Sequence, residues 1–204
     1  MTVTLSKRAD INLDAVFRVA WKREAVEISA SALQLISECR GSFLKLIDSD
    51  PELVIYGVTT AMGELASRRL GRGERDRHAR IKPFAAATSF GDRLPDRVVR
   101  AIVLARLANF LEGNAATTPR IVLAVAAMLD GQPMPSVPSS GQGGAGEILA
   151  LYPLFAGLSA RFELEVKERG SLINGSPCAA ALVADAALAA GRASAWRKKS
   201  SLCR

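Results

Sequence analysis

The chain has 204 residues, of which 49% are apolar, with a net charge of +7 and a sequence pI of about 9.8. This length allows a core in one or two domains. The sequence contains no run of about 18 uncharged apolar residues, so no membrane span is predicted. Five basic residues and no acid fall in residues 192–204, so subtracting them leaves +2 on the first 191 residues. The basicity therefore belongs to the tail, and a nucleic-acid partner is not expected.

The cysteines and the N-terminus indicate a cytoplasmic protein. Cys39, Cys178 and Cys203 are odd in number and far apart, which predicts neither a disulfide framework nor a zinc site. The first 14 residues carry charges and lack the apolar core of a secretory signal. We expect no metal and no membrane partner, and we expect His78 to be solvated in a charged loop.

Residues 1–93 predict a small α/β part. Short apolar runs at residues 2–5 and 25–28 favour strands, and Asn12 is placed to cap a helix over residues 13–23. Helical spacing continues from residue 31 and ends before Pro51. A third strand-like run, residues 53–56, leads into a loop with a glycine at each end. Charged residues 67–82 predict a mobile surface loop.

Residues 94–191 predict the start of a helical bundle, so the expected fold class is mainly α. Pro95 and Gly113 bound one helix, and a second begins with Thr118 and Pro119 and runs to Leu129. Residues 148–160 predict a third helix and residues 162–166 a strand. Ser176 and Pro177 start an alanine-rich helix that is expected to end at Ala190.

Three segments carry a likeness to one enzyme family. Residues 55–63 read Ile-Tyr-Gly-Val-Thr-Thr-Ala-Met-Gly, residues 94–113 form the long helix that holds Arg106, and residues 167–176 read Lys-Glu-Arg-Gly-Ser-Leu-Ile-Asn-Gly-Ser. The first and third are similar to Tyr-Gly-Val-Asn/Thr-Thr-Gly-Phe-Gly and Lys-Glu-Gly-Leu-Ala-Leu-Ile-Asn-Gly-Thr of histidine and phenylalanine ammonia-lyases. Because the segments keep the family's order, the chain resembles the N-terminal part of an aromatic amino acid ammonia-lyase, in divergent form.

The resemblance implies two site residues. The loop tyrosine of that family acts as a base or proton shuttle, and the asparagine of the third segment contacts the cofactor ring. Tyr56 and Asn174 are therefore expected to take these roles. The residues alone allow other interpretations, because a tyrosine that ends a strand is commonly a core residue and an asparagine before a glycine commonly makes a turn.

The resemblance also locates the family's cofactor, and the sequence departs from the family there. Members build a methylidene-imidazolone from Ala-Ser-Gly, by closing the glycine nitrogen on the alanine carbonyl and removing water from the serine. The matching residues here are Gly144, Ala145 and Gly146. Alanine has no hydroxyl to eliminate, so no cofactor is expected. Ser139-Ser140-Gly141 is the other candidate, but it lies too early for the register.

The expected function follows from the resemblance. The family eliminates ammonia from aromatic or histidine-like amino acids, which is a carbon–nitrogen lyase reaction. Ala145, together with Ala85 and Ala86 where the family has Ser-His, indicates that this chemistry is lost or altered. Two alternatives stay open: an inactive truncated pseudoenzyme, and an enzyme that uses the same scaffold without the imidazolone. The implied partners are a small amino acid and further chains, either copies in the family's tetramer or a full-length relative.

Residues 192–204 differ in composition from the alanine-rich helix before them. With permissible codons, the bases for Trp196 onward, read in a neighbouring frame, spell Leu-Ala-Glu-Glu-Val-Phe-Ala-Leu-Ser, which resembles the family's next helix. The tail is therefore predicted to be a frameshift product, and a natural basic C-terminus is the alternative. Without further helices, the face of Val98, Ile102 and Leu107 is expected to be poorly covered and to favour self-association.

Overall fold

The structure is a computed structural model, and it describes residues 1–50, 52–81, 89–141 and 146–202. Two short parallel strands open it: β1 (Thr2–Leu5) pairs with β2 (Ala25–Ile28). Between them, α1 (Leu13–Val16) continues into a π-helical turn, Phe17–Trp21. The Asn12 side chain accepts a hydrogen bond from the N–H of Ala15 at 3.0 Å. Both strands and the N-cap are confirmed.

Residues 72–80 correct a prediction. They form a helix, α3 (Arg72–Arg80), instead of a mobile loop, and they follow the long helix α2 (Ala30–Ser49). The Glu74 carboxylate accepts a hydrogen bond from the N–H of Gly71 at 3.0 Å and pairs with Arg68 at 2.7 Å, which closes the first turn. Basic residues in the last turn, where the helix dipole is negative, stabilise the other end.

The centre of the fold is α4 (Asp96–Leu111), which is buried almost all round. It packs against α2, the π-helical turn, α5 (Pro119–Ala127) and α8 (Pro177–Leu202). Thr118 caps α5 by accepting a hydrogen bond from the N–H of Ile121, as predicted. The mainly α fold class is confirmed.

A short antiparallel pair lies beside this bundle. β3 (Phe90–Arg93) pairs with β4 (Pro138–Ser140), and neither strand was expected, because the sequences Phe-Gly-Asp-Arg and Pro-Ser-Ser show no apolar alternation. The strand predicted at residues 162–166 is wrong. These residues pair with no strand among those described, and Leu164 is buried because it packs into the core between α6 (Ile148–Arg161) and α7 (Glu168–Ile173).

The last helix does not end at Ala190. Alanine-rich sequence favours helix, and α8 continues to Leu202. Contacts fix it to the N-terminal part, because the Arg192 guanidinium lies 5.4 Å from the ring centre of Phe17 and 5.5 Å from that of Trp21. The predicted division at residues 93/94 and 191/192 stays a prediction.

Burial reverses one expectation. Val98, Ile102 and Leu107 of α4 are at most 3% exposed, because α5 and α8 cover them. Exposed apolar side chains lie on other elements, and they include Leu182, 44% exposed, and Val183, 70% exposed, on α8.

One helical stretch, Glu168–Trp196, is long and apolar enough to cross a membrane by length and composition, and 33% of its most apolar window is buried. Core helices of soluble proteins pass the same test. The stretch contains all of α7 and α8 as far as Trp196, and its Asp185 pairs with Arg97 of α4 at 2.9 Å. The expected absence of a membrane partner stays a prediction.

Candidate active site

The loop that holds Tyr56 is a compact turn. The Ile55 carbonyl accepts hydrogen bonds from the N–H groups of Val58 at 3.0 Å and Thr59 at 2.9 Å. The Thr59 hydroxyl donates to the Leu53 carbonyl at 2.6 Å. These bonds replace a strand ladder, so the strand predicted at residues 53–56 is wrong.

The Tyr56 side chain points outward from this turn. It is 56% exposed, and its hydroxyl oxygen accepts a hydrogen bond from the N–H of Gly63 at 2.9 Å. Tyr56 is therefore not a core residue. Because the oxygen accepts from the backbone, its own O–H remains able to donate to a ligand.

Asn174 ends α7 and faces the predicted cofactor position. Its side-chain N–H donates to the Gly170 carbonyl at 3.0 Å, and its backbone carbonyl accepts from the Arg106 guanidinium. A Cβ placed on Gly146 would lie 3.7 Å from the Asn174 Oδ1 atom. The structure thus brings together Asn174 and the last residue of the predicted triad, while Tyr56 bonds within its own loop.

The residues present do not fit a methylidene-imidazolone. Gly144 and Ala145 lie outside the described residues, and the sequence places no hydroxyl at Ala145. The alternative serine, Ser140, lies in β4 opposite Phe90. Closing the ring requires a carbonyl to meet the nitrogen two residues later, and an extended strand holds those atoms apart.

Arg106 of α4 binds the Asn174 carbonyl, beside the predicted cofactor position. It is 3% exposed, and no described residue accepts a hydrogen bond from its Nε. Burial lowers the pKa of Arg106 to about 10. The guanidinium also lies 5.8 Å from the ring centre of Phe110, so it is held between an aromatic face and the backbone of Asn174.

Glu147 links α6 to the beginning of α8. Its carboxylate accepts hydrogen bonds from the N–H groups of Cys178 and Ala179, the latter at 2.7 Å. Glu147 therefore caps α8, whereas the predicted cap, Ser176, contributes its carbonyl to the N–H of Ala180. Burial, with the neighbouring carboxylate, raises the pKa of the Cys178 thiol, which keeps it protonated and unreactive.

Glu168 is a structural carboxylate of the third segment. It is fully buried, and one oxygen accepts from the Thr118 N–H at 3.0 Å and from the Thr118 hydroxyl at 2.6 Å. The other oxygen accepts from the N–H of Glu165 at 2.8 Å. Glu168 therefore joins α7 to the start of α5.

Arg169 stands where the family's motif has glycine. Its guanidinium donates to the Ile81 carbonyl at 2.8 Å and lies 3.0 Å from the His78 Nε2 atom and 3.3 Å from the Met62 sulfur. This contact connects α7 to the loop of Tyr56. Burial, with the charge of Arg169, lowers the pKa of His78. The prediction of a solvated His78 is wrong.

Comparisons with known proteins identify the family of this chain. A family model described as aromatic amino acid lyase matches residues 11–161. The chain belongs to the aromatic amino acid lyase family. The match confirms the resemblance over the first two segments, and the third segment lies beyond it.

Similar proteins include the histidine ammonia-lyase of Deinococcus radiodurans, 29% identical over 157 residues, which are 76% of this chain and 30% of the relative. A probable histidine ammonia-lyase of Thermoplasma volcanium is 32% identical over 141 residues, which are 69% of this chain and 28% of the relative. The crystal structure of tyrosine aminomutase from Streptomyces globisporus superposes with a TM-score of 0.77 at 24% identity, over 90% of this chain and 38% of that one. The chain thus spans less than a third of the length of these two curated relatives.

Sequence reasoning missed the residues that connect distant segments. Glu147 and Glu168 each cap a helix more than 30 residues away in the chain, and nothing in the local sequence indicates these partners. Within the described ranges, no group of three or more His, Cys, Asp or Glu side chains could hold a metal ion.

Proposed function

We propose that this chain is a relative of the family's carbon–nitrogen lyases that does not eliminate ammonia by the imidazolone route. The observation that carries the proposal is Ala145, which stands where the family's chemistry removes water from serine. Ser140, the other candidate, is paired in β4. The surroundings of the position remain, since Asn174 faces Gly146 and Arg106 binds the Asn174 carbonyl.

The proposed ligand is an aromatic or histidine-like α-amino acid. The family membership and the names of the relatives support this class. We assign Tyr56 and Asn174 to contact it, because the Tyr56 hydroxyl is exposed and able to donate and the Asn174 Oδ1 atom faces the cofactor position. Neither residue supplies the missing electrophile, so binding without turnover is expected.

The experiment is an ammonia assay with histidine, phenylalanine and tyrosine. We expect no more ammonia from the purified chain than from buffer. The matched control is Tyr56→Phe, which keeps the ring and removes the hydroxyl. Sustained ammonia release that disappears in Tyr56→Phe would contradict the proposal, whereas equal release from both proteins would identify a contaminating enzyme.

We further propose a cytoplasmic location, which the odd number and wide spacing of the cysteines support, and association with another chain, either a second copy or a longer relative. The support for the association is the outer face of α8, where Leu182 and Val183 are exposed, since apolar surface of this kind commonly marks an interface. Sedimentation velocity tests the self-association. A monomer at every concentration would argue against a second copy as the partner.

A further inference from the structure

A small cavity lies between the loop of Tyr56, α3 and the beginning of α7. Its volume is about 10 Å³, close to the space that one water molecule needs. It is lined by residues of those three segments: Gly57, Val58, Met62, Arg75, His78, Ala79, Val166, Lys167, Arg169 and Gly170. Any occupant must therefore be a compact group.

The lining is positively charged and contains no acid. Arg75, Lys167 and Arg169 contribute three cations, and none of the lining residues is aspartate or glutamate. Arg75 has partners of its own, because it pairs with Asp48 at 4.0 Å and donates to the Ile47 carbonyl at 3.0 Å. Arg169 and Lys167 pair with no carboxylate of the described residues, although buried charges in proteins are normally paired.

The contacts of Arg169 are all with neutral groups. It is 8% exposed, and its partners are a carbonyl, an imidazole nitrogen and a thioether, all of them neutral. Since Arg169 donates to the His78 Nε2 atom, that nitrogen must be unprotonated and the imidazole neutral. His78 therefore adds no negative charge.

Another buried arginine shows a different arrangement. Arg100 is 2% exposed and donates to three backbone carbonyls, those of Val19, Glu24 and Leu129. It is not among the residues that line this cavity. Arg100 is thus a fully satisfied structural arginine, whereas Arg169 has one carbonyl and borders a cavity that two other cations also line.

The backbone of Lys167 gives an independent observation. Its φ of +76° lies in the left-handed region, which costs a residue with a Cβ about 1–2 kcal/mol. Strained residues cluster at ligand sites. Here the strained residue lines the same cavity, and burial lowers the pKa of its side chain.

We propose that this cavity binds one chloride ion beside Arg169, Lys167 and Arg75. The volume excludes whole amino acids, and the charges supply the attraction. The proposal does not depend on lyase chemistry, so it can stand or fall separately from the proposed function.

The experiment measures the melting temperature of the whole chain while sodium chloride replaces sodium gluconate at constant ionic strength. Gluconate is too large for the cavity. Since a ligand that binds only the native state stabilises it by RT ln(1 + [L]/Kd), we expect a rise of about 3 °C for a chain of this size, growing with the logarithm of the chloride concentration. The rise should be lost in Lys167→Gln and Arg169→Gln and kept in the exposed control Lys45→Gln.

A direct binding measurement guards against variants that fail to fold. Line broadening of the chloride NMR signal should occur with the unaltered chain and with Lys45→Gln, and it should fall at least several-fold with Lys167→Gln, whose half-buried side chain is not part of the core. The proposal is overturned if chloride does not raise the melting temperature, or if Lys167→Gln and Arg169→Gln respond as the unaltered chain does.

Discussion

Replacing Gly113 by alanine is expected to lower the free energy of unfolding by about 2–4 kcal/mol. Gly113 follows α4 with φ at +74°, and a Cβ placed on it would lie 2.6 Å from the sulfur and 2.9 Å from the Cβ of Cys39 in α2. Alanine therefore adds backbone strain and a steric overlap, and the overlap can be relieved only if α2 and α4 move apart.

The control for this change is Gly131→Ala. Gly131 has a similar φ of +70°, but a Cβ there would meet nothing within 4 Å, so only the strain of about 1–2 kcal/mol remains. Urea unfolding measures both changes. The second substitution Cys39→Ala should restore part of the loss in Gly113→Ala, because it removes the closer of the two contacts. Equal effects of Gly113→Ala and Gly131→Ala would contradict the packing of α2 on α4.

Replacing Glu168 by alanine is expected to cost about 3 kcal/mol or more, because it leaves buried donors without partners. The N–H groups of Thr118 and Glu165 and the Thr118 hydroxyl all donate to this carboxylate. Glu168→Gln should also destabilise the chain, by about 1–3 kcal/mol, because its amide nitrogen would replace one acceptor with a donor.

The control is Glu163→Ala in the preceding segment. The Glu163 side chain is 64% exposed and pairs with Arg80 at 2.7 Å, and exposed pairs contribute about 1 kcal/mol or less. Thermal and urea unfolding of the three variants measure the difference. If Glu168→Ala and Glu163→Ala were equally stable, the proposed connection between α5 and α7 would be wrong.

Features that short segments determine could be predicted from the sequence. Asn12 caps α1 and Thr118 caps α5 as expected, because a cap depends on residues three positions apart. The strands at Thr2–Leu5 and Ala25–Ile28 follow their apolar runs. The fold class followed from the length and apolar periodicity of α2, α4 and α8.

Features that depend on distant residues could not be predicted. The sequence of α3 is so strongly charged that it resembles a loop, and its helix depends on the bonds of Glu74 to Gly71 and Arg68. The apolar alternation at residues 162–166 comes from the burial of Leu164 in the core. These residues have no partner strand in the described chain.

Some residues of the candidate site could be predicted and others could not. Asn174 and Gly146 were candidates because both stand in segments that resemble the family, and the structure places them side by side. It gave no indication that Arg169 would contact His78, which lies 91 positions earlier in the chain. The roles of Tyr56 and Asn174 stay predictions.

The intact mass of the purified chain tests the central claim most directly. The absence of a dehydratable serine at Ala145 predicts the mass of the printed sequence, with or without the initiator methionine. Ser140→Ala, measured in parallel, should differ only by its lost oxygen atom. A mass lower by two waters in the unaltered chain, and restored in Ser140→Ala, would show that the imidazolone forms from Ser139-Ser140-Gly141 and would contradict the account.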